Sequence, residues 1–221
     1  MKELLKNTSL FENLNDSELT NIADIAIQRS YPAGTELFKQ GDSGDTFYVV
    51  ISGSVKVFNI TKDGQEKIIA IFRSGQSFGE FALIDGEPRS ASATTMEDSV
   101  FIIITRETFF RLLKKNFSLS QKLIELLVKR LRRTNEQVMD LVFLDARTQT
   151  IKTLITLANE HGQREEGTVK LNVPVTPAEI ASLAGIPQDM AEEVIRELLH
   201  RQVLIRRHNF YYLNTAALLN K

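Results

Sequence analysis

The 221-residue sequence has no cysteine, which rules out disulfide frameworks, thiolate nucleophiles and cysteine-ligated zinc or iron–sulfur centres. Histidine is nearly as scarce: His161, His200 and His208 all lie in the C-terminal third, too scattered for a metal site, and no metal is expected. Long apolar runs are missing too. The first ten residues lack the apolar core of a signal peptide, and no stretch nears the length needed to span a bilayer, so a cytoplasmic protein without membrane contact is expected. Excess charge of one sign is absent, since the formal net charge is −1. Residues 146–221 carry nine Lys plus Arg against eight Asp plus Glu, a weak electrostatic footprint for DNA. No Ser-His-Asp, Cys-His or metal constellation is visible, and the chain is not expected to be an enzyme.

The remaining composition, 43% hydrophobic and 25% charged, is that of a globular protein, at a length suited to two domains. Residues 1–28 carry apolar side chains at helical spacing, Leu10, Phe11 and Leu14, then Leu19, Ile22, Ile25 and Ala26, with Asn15 or Asp16 as a cap. From Arg29 to about Thr105 short apolar runs alternate with glycines. Tyr48–Ile51, Val55–Phe58, Lys67–Phe72 and Val100–Ile104 read as strands, and Asp63-Gly64 as a hairpin turn, which together predict an antiparallel barrel or jelly roll.

Within this region the run F-G-E-F-A-L-I-D-G-E-P-R-S, Phe78 to Ser90, has the chemistry of a small-anion site. Gly79 permits close approach, a helical turn from Glu80 to Leu83 would present free N–H groups, Arg89 offers a forked cationic donor, and Ser90 adds a hydroxyl. Glu80 would repel a bare phosphate but accept from a sugar hydroxyl, so the ligand expected is a phosphate on a ribose. The competing reading is that Gly79 and Gly86 are ordinary turn residues and Arg89 a surface charge.

This stretch resembles the phosphate-binding cassette of the cyclic-nucleotide-binding domain, on Gly79, Glu80, Ala82, Leu83, Arg89, Ser90 and Ala91. The resemblance implies that Glu80 takes the ribose 2′-hydroxyl, that Arg89 and Ser90 take the cyclic phosphate, and that Phe81 lines the site.

Residues 106–145 read as helical, a short packing helix followed by a long one. In the long one Ile124, Leu127, Leu131, Thr134, Val138 and Leu141 recur in steps of three and four, an a/d seam that predicts a parallel homodimer. An amphipathic helix packed on its own β-roll is the alternative. The stretch from Arg130 to Asp145 resembles the dimerisation helix of the cyclic-AMP receptor protein and fumarate-nitrate regulator (CRP/FNR) superfamily. By that resemblance Arg130 reaches the cassette glutamate and Thr134 contacts adenine. Asn135 stands where a serine from the opposite subunit reaches the base, so the choice between adenine and guanine stays open.

Phe143-Leu144-Asp145 resembles the hinge of the same family, and beyond it a helix is predicted over Ala146–Asn159, then a polar loop over residues 161–167 and a strand over residues 168–175. Thr176-Pro177-Ala178-Glu179 is a capping box that opens a helix to about Ala184, with Gly185 in the turn before a second helix from Pro187 to His200. This resembles the family's helix-turn-helix, with L-I-R-R-H-N-F-Y-Y-L as its β wing, and implies DNA contacts from Thr176, Gln188, Asp189, Glu193, Arg196, Arg206 and Arg207. Asp189 and Glu193, with Gln188, stand where DNA-reading relatives place Arg, Glu and Arg, and carboxylates facing phosphates cost affinity.

The expected architecture is α+β: a cyclic-nucleotide-binding β-roll over residues 1–115, a dimerisation helix and hinge over 116–145, and a winged helix-turn-helix over 146–221. The expected function is a homodimeric transcriptional regulator that responds to cyclic AMP, in preference to cyclic GMP, binds palindromic DNA and can contact RNA polymerase. The alternatives are a nucleotide-binding dimer acting through a protein partner, or a family regulator sensing another small effector. Lack of cysteine excludes an iron–sulfur sensor, and lack of histidine in residues 1–145 disfavours a histidine-ligated haem.

Overall fold

The computed structural model describes residues 2–12, 14–165, 167–214 and 217. The chain divides into two compact units, Met1–Asn59 with Ile69–Thr134, and Ile60–Ile68 with Asn135–Lys221.

The N-terminal region opens with α1 (Lys2–Lys6) and α2 (Asp16–Ala23), the latter started by a capping box between Asn15 and Glu18. Its strands are β1 (Ile27–Tyr31), β2 (Glu36–Phe38), β3 (Thr46–Ser52), β4 (Ser54–Ile60), β5 (Glu66–Arg73), β6 (Ser77–Phe78), β7 (Ser92–Thr95) and β8 (Ser99–Thr105). They form two four-stranded sheets, ordered β1-β8-β3-β6 and β2-β7-β4-β5, the jelly-roll expectation. A six-residue helix, α3 (Glu80–Asp85), interrupts the strands between β6 and β7. The hairpin glycine Gly64 has φ +78, and Thr61 N–H closes the turn on Gln65 O.

β3 shows why these strands read as near-continuous apolar runs: it is buried on both faces. Phe47 and Val49 join Ile102, Ile104 and helical residues such as Leu19, Ile22 and Phe109 in one core. Tyr48 and Val50 point the other way, into the roll, with Val55, Phe78, Ala93 and Phe101. Leu10, Phe11 and Leu14 are buried as expected but sit in turns rather than a helix, since Phe11 N–H bonds Thr8 O and Leu14 N–H bonds Phe11 O. Their spacing reports burial against the core, which a turn satisfies as well as a helix.

α4 (Arg106–Lys115) is capped by Thr105 and leads to α5 (Phe117–Phe143). Along α5 the strongly exposed apolar residues include Ile124, Val128, Leu131, Val138 and Val142. Leu127, expected in the seam, instead packs against the N-terminal core. Val128 next to it is exposed in its place, while Ile124, Leu131, Thr134, Val138 and Leu141 of the expected seam are all exposed.

The C-terminal region starts with α6 (Ala146–His161), whose N-cap is Asp145. The predicted polar loop after it holds a strand, β9 (Gly162–Glu165), paired with β10 (Thr168–Leu171). All four β9 residues are exposed, so no alternation of burial marks them in the sequence. The helix-turn-helix follows as α7 (Pro177–Ala184) and α8 (Gln188–His200), then the wing, β11 (Leu204–Arg207) and β12 (Phe210–Asn214), in a sheet ordered β11-β12-β10-β9. Among the described residues no helix is long and apolar enough to cross a membrane.

Candidate ligand site and helix-turn-helix

α3 is bracketed by two left-handed glycines, Gly79 at φ +86 and Gly86 at φ +79. A Cβ on Gly79 would lie 2.9 Å from Arg89 Nη1, so the position needs glycine for space as well as for backbone conformation. Directly after it Glu80 is only 1% exposed, and Ala82 and Leu83 are buried. Phe81 and Ser90 lie exposed on the cassette.

Arg89 is 4% exposed. Its Nη1 donates to Gly79 O at 2.8 Å, and its Nη2 to Thr46 O at 2.8 Å and Thr46 Oγ1 at 2.9 Å. The guanidinium carbon stands 4.1 Å from the centroid of the Phe38 ring. The Arg89 backbone is pinned as well, its N–H to Asp42 O and its carbonyl accepting from Gly41 N–H. Burial pulls the guanidinium pKa below the usual arginine value, and Tyr48, Asp45, Glu80 and Asp42 oppose that pull.

From α5, Arg130 reaches the same cassette. Its Nη1 pairs with Glu80 Oε1, its Nη2 donates to Ser77 O at 2.5 Å, and its guanidinium lies over the Phe72 ring at 4.9 Å. Three buried side-chain atoms here have no hydrogen-bond partner: Ser77 Oγ, Glu80 Oε2, an acceptor, and Arg89 Nε, a donor. Buried polar atoms are otherwise almost always satisfied, and such exceptions mark places where a ligand can bond. Sequence reasoning singled out Gly79, Glu80, Ala82, Arg89 and Arg130, which the fold brings together, but it missed Phe38, Gly44, Thr46 and Phe72. Thr134 lies one helical turn beyond Arg130 on the same face of α5 and is exposed, as is Asn135.

In the C-terminal region Thr176 accepts from Glu179 N–H at 3.2 Å, and Glu179 accepts from Thr176 N–H at 2.8 Å, the predicted capping box. Gly185 ends α7 at φ +75. α8 buries Ala191, Val194, Ile195 and Leu198 and exposes Asp189, Glu193 and Arg196. Gln188, also exposed, donates to Glu192 Oε1 at 2.7 Å. Glu197 accepts from both terminal nitrogens of Arg147, and its Oε1 also from Arg201 at 3.1 Å, so those two cations are partly neutralised within the protein. On the wing, Arg206 stands over Tyr211 at 5.8 Å and Arg207 over Tyr212 at 5.1 Å, with both arginines exposed.

Known proteins share this organisation. Residues 28–116 match the cyclic nucleotide-binding domain family. The chain is 30% identical over 201 residues to a CRP-like cAMP-activated global transcriptional regulator of Mycobacterium tuberculosis, covering 91% of this chain and 90% of that protein. It is also 30% identical to the cyclic AMP receptor protein of Thermus thermophilus, over 98% of this chain and 97% of that one. In three dimensions it resembles the c-di-GMP-responsive global regulator CLP of Xanthomonas campestris, at TM-score 0.75 and 27% identity, over 90% of this chain and 99% of that one. With a buried Glu–Arg cassette in a jelly roll, a long helix and a winged helix-turn-helix, the chain belongs to the CRP/FNR superfamily of transcriptional regulators and is not an enzyme.

Proposed function

We propose that the protein is a homodimeric regulator whose effector is cyclic AMP and which, once loaded, binds a palindromic DNA site. The observation that carries the effector reading is the pair of unpartnered buried atoms, Glu80 Oε2 and Arg89 Nε, in one cassette. A ribose hydroxyl supplies what the first lacks, and a cyclic phosphate what the second lacks. Gly79 and Ala82 give room for the sugar phosphate, Phe81 and Ser90 border it, and Arg130 holds Glu80 oriented. Thr134 takes the adenine edge, with Asn135 contributed by the partner subunit.

In this reading residues 1–115 form the sensing domain, 116–145 the dimer helix and hinge, and 146–221 the DNA-binding domain, in a cytoplasmic protein able to contact RNA polymerase. Effector binding favours one arrangement of the paired α5 helices, and residues 143–145 transmit it to α6. On DNA, Gln188 suits an adenine and Asp189 and Glu193 suit amino groups of cytosine or adenine, while Thr176, Arg196, Arg206 and Arg207 serve as phosphate contacts.

A thermal-shift panel of cyclic AMP, cyclic GMP and cyclic di-GMP tests the effector. Cyclic AMP should raise the melting midpoint of the wild type and raise that of Arg89→Ala far less. No shift at millimolar cyclic AMP, or an equal shift in Arg89→Ala, would refute it. A larger shift with cyclic di-GMP, to which the neighbour CLP is described as responsive, would change the ligand and keep the sensing role.

The exposed carboxylates of α8 favour a second reading, in which the loaded dimer acts through a protein partner. Selection from random duplexes in the presence of effector separates the two. An enriched palindrome supports DNA reading, and no enrichment supports the partner.

A further inference from the structure

We infer that Arg89 sits in a preformed slot whose aromatic wall, Phe38, is a positioning residue for effector binding, and that the slot presents the Nε edge of the guanidinium to the phosphate. This rests on the cyclic-nucleotide reading above and names how the phosphate is taken.

The slot is closed on several sides by residues far apart in the chain. Phe38, from β2, stacks at 4.1 Å from the guanidinium carbon. Thr46, from the start of β3, occupies Nη2 with its carbonyl and its hydroxyl, and the Gly79 carbonyl occupies Nη1. Gly44 forms the wall along the side-chain stem. A Cβ there would meet Ala82 Cβ at 2.3 Å, Arg89 Nε at 2.9 Å and Arg89 Cδ at 3.1 Å. Gly44 is not in the left-handed region, so it is its lack of bulk that the site uses.

Two consequences follow. A free arginine side chain must freeze several torsions when it meets a ligand, and this one is already frozen by three hydrogen bonds and a ring. With Nη1 and Nη2 engaged by fixed oxygens, Nε is the guanidinium nitrogen left without a partner, so an incoming phosphate oxygen is met there. Lysine has no Nε edge and no planar face for the ring, so Arg89→Lys cannot substitute.

The test is calorimetric titration of full-length protein with cyclic AMP. Phe38→Leu, which keeps an apolar side chain but removes the ring face, should weaken binding about tenfold, and Phe38→Tyr should stay within about twofold of wild type. Melting of the unliganded variants reports packing separately. The discriminating measurement repeats Phe38→Leu in an Arg89→Gln background by thermal shift at millimolar nucleotide. A positioning residue then has nothing to position, and its effect should vanish. Equal affinity of Phe38→Leu and wild type, or an undiminished effect in the Arg89→Gln background, would overturn the slot and leave the effector reading intact. Absence of nucleotide binding by the wild type would overturn both.

Discussion

Arg130 and Glu80 form a pair in which the glutamate is buried and the arginine, its guanidinium over Phe72, is largely buried. Removing the arginine alone leaves a carboxylate with neither oxygen bonded, which costs more than the pair itself contributes. Arg130→Ala should therefore lower unfolding stability by about 3 kcal/mol in urea titration without effector. Arg130→Ala combined with Glu80→Gln should recover most of that loss, because the residual group is neutral. Equal losses in the single and double variants would refute the unpaired carboxylate as the cause. Glu80 was legible because a Gly-Glu start with an Arg-Ser pair ten residues on suits a phosphate on a ribose and resembles the cassette, and Arg130 was read from the family resemblance alone. Phe38, Gly44 and Thr46 were not, because an aromatic on a short strand and a small residue in a turn have many ordinary uses. They become site residues only when β2 registers on β7 and β3 on β6 and β8.

Among the elements, α6 carries a clear pH signature. The Asp145 carboxyl is held below the usual carboxylate range by the Thr148 backbone N–H and side chain, helped by the charge of Arg147. A depressed folded-state pKa means that the cap's contribution is complete above the unfolded value, about 3.9, and is lost as pH falls through the lower folded value. The thermal midpoint of the wild type should thus fall more steeply below about pH 4 than that of Asp145→Asn, which caps without titrating. Parallel curves would refute the assignment. The cap itself was readable from Asp145 standing before a helical run. β9 was not readable, because its pairing with β10 is purely backbone and its side chains all face solvent.

In the assembled molecule the exposed stripe of α5 decides the oligomeric reading. Ile124, Val128, Leu131, Val138 and Val142 are each between 45% and 67% exposed. In the proposed dimer a second copy of the chain would bury them, and Asn135 among them would set register at some cost in stability. Leu131→Glu removes two leucines from a symmetric interface, at about 1.5–3 kcal/mol each. Dimer affinity in sedimentation equilibrium should fall by at least about a hundredfold. A dimer of unchanged affinity would move the interface off this stripe.

Local chemistry determined a great deal in advance. Glycine turns, apolar strands and capping residues announce the jelly roll and the helix starts, and the Gly-Glu to Arg-Ser interval a site for a phosphate on a ribose, because each depends on neighbours within a few residues; the cassette and the helix-turn-helix were read from the family resemblance. Two matters waited for the tertiary structure. Leu127 and Val128 both fit a three-four repeat, and only packing of Leu127 against the N-terminal core assigns the open seam to Val128. Likewise, which oxygens engage Arg89, and which of its nitrogens stays free, depends on strands brought together from distant parts of the chain. A helical period and a residue type limit what a side chain can do, but its partners are chosen by what the fold places within hydrogen-bonding distance.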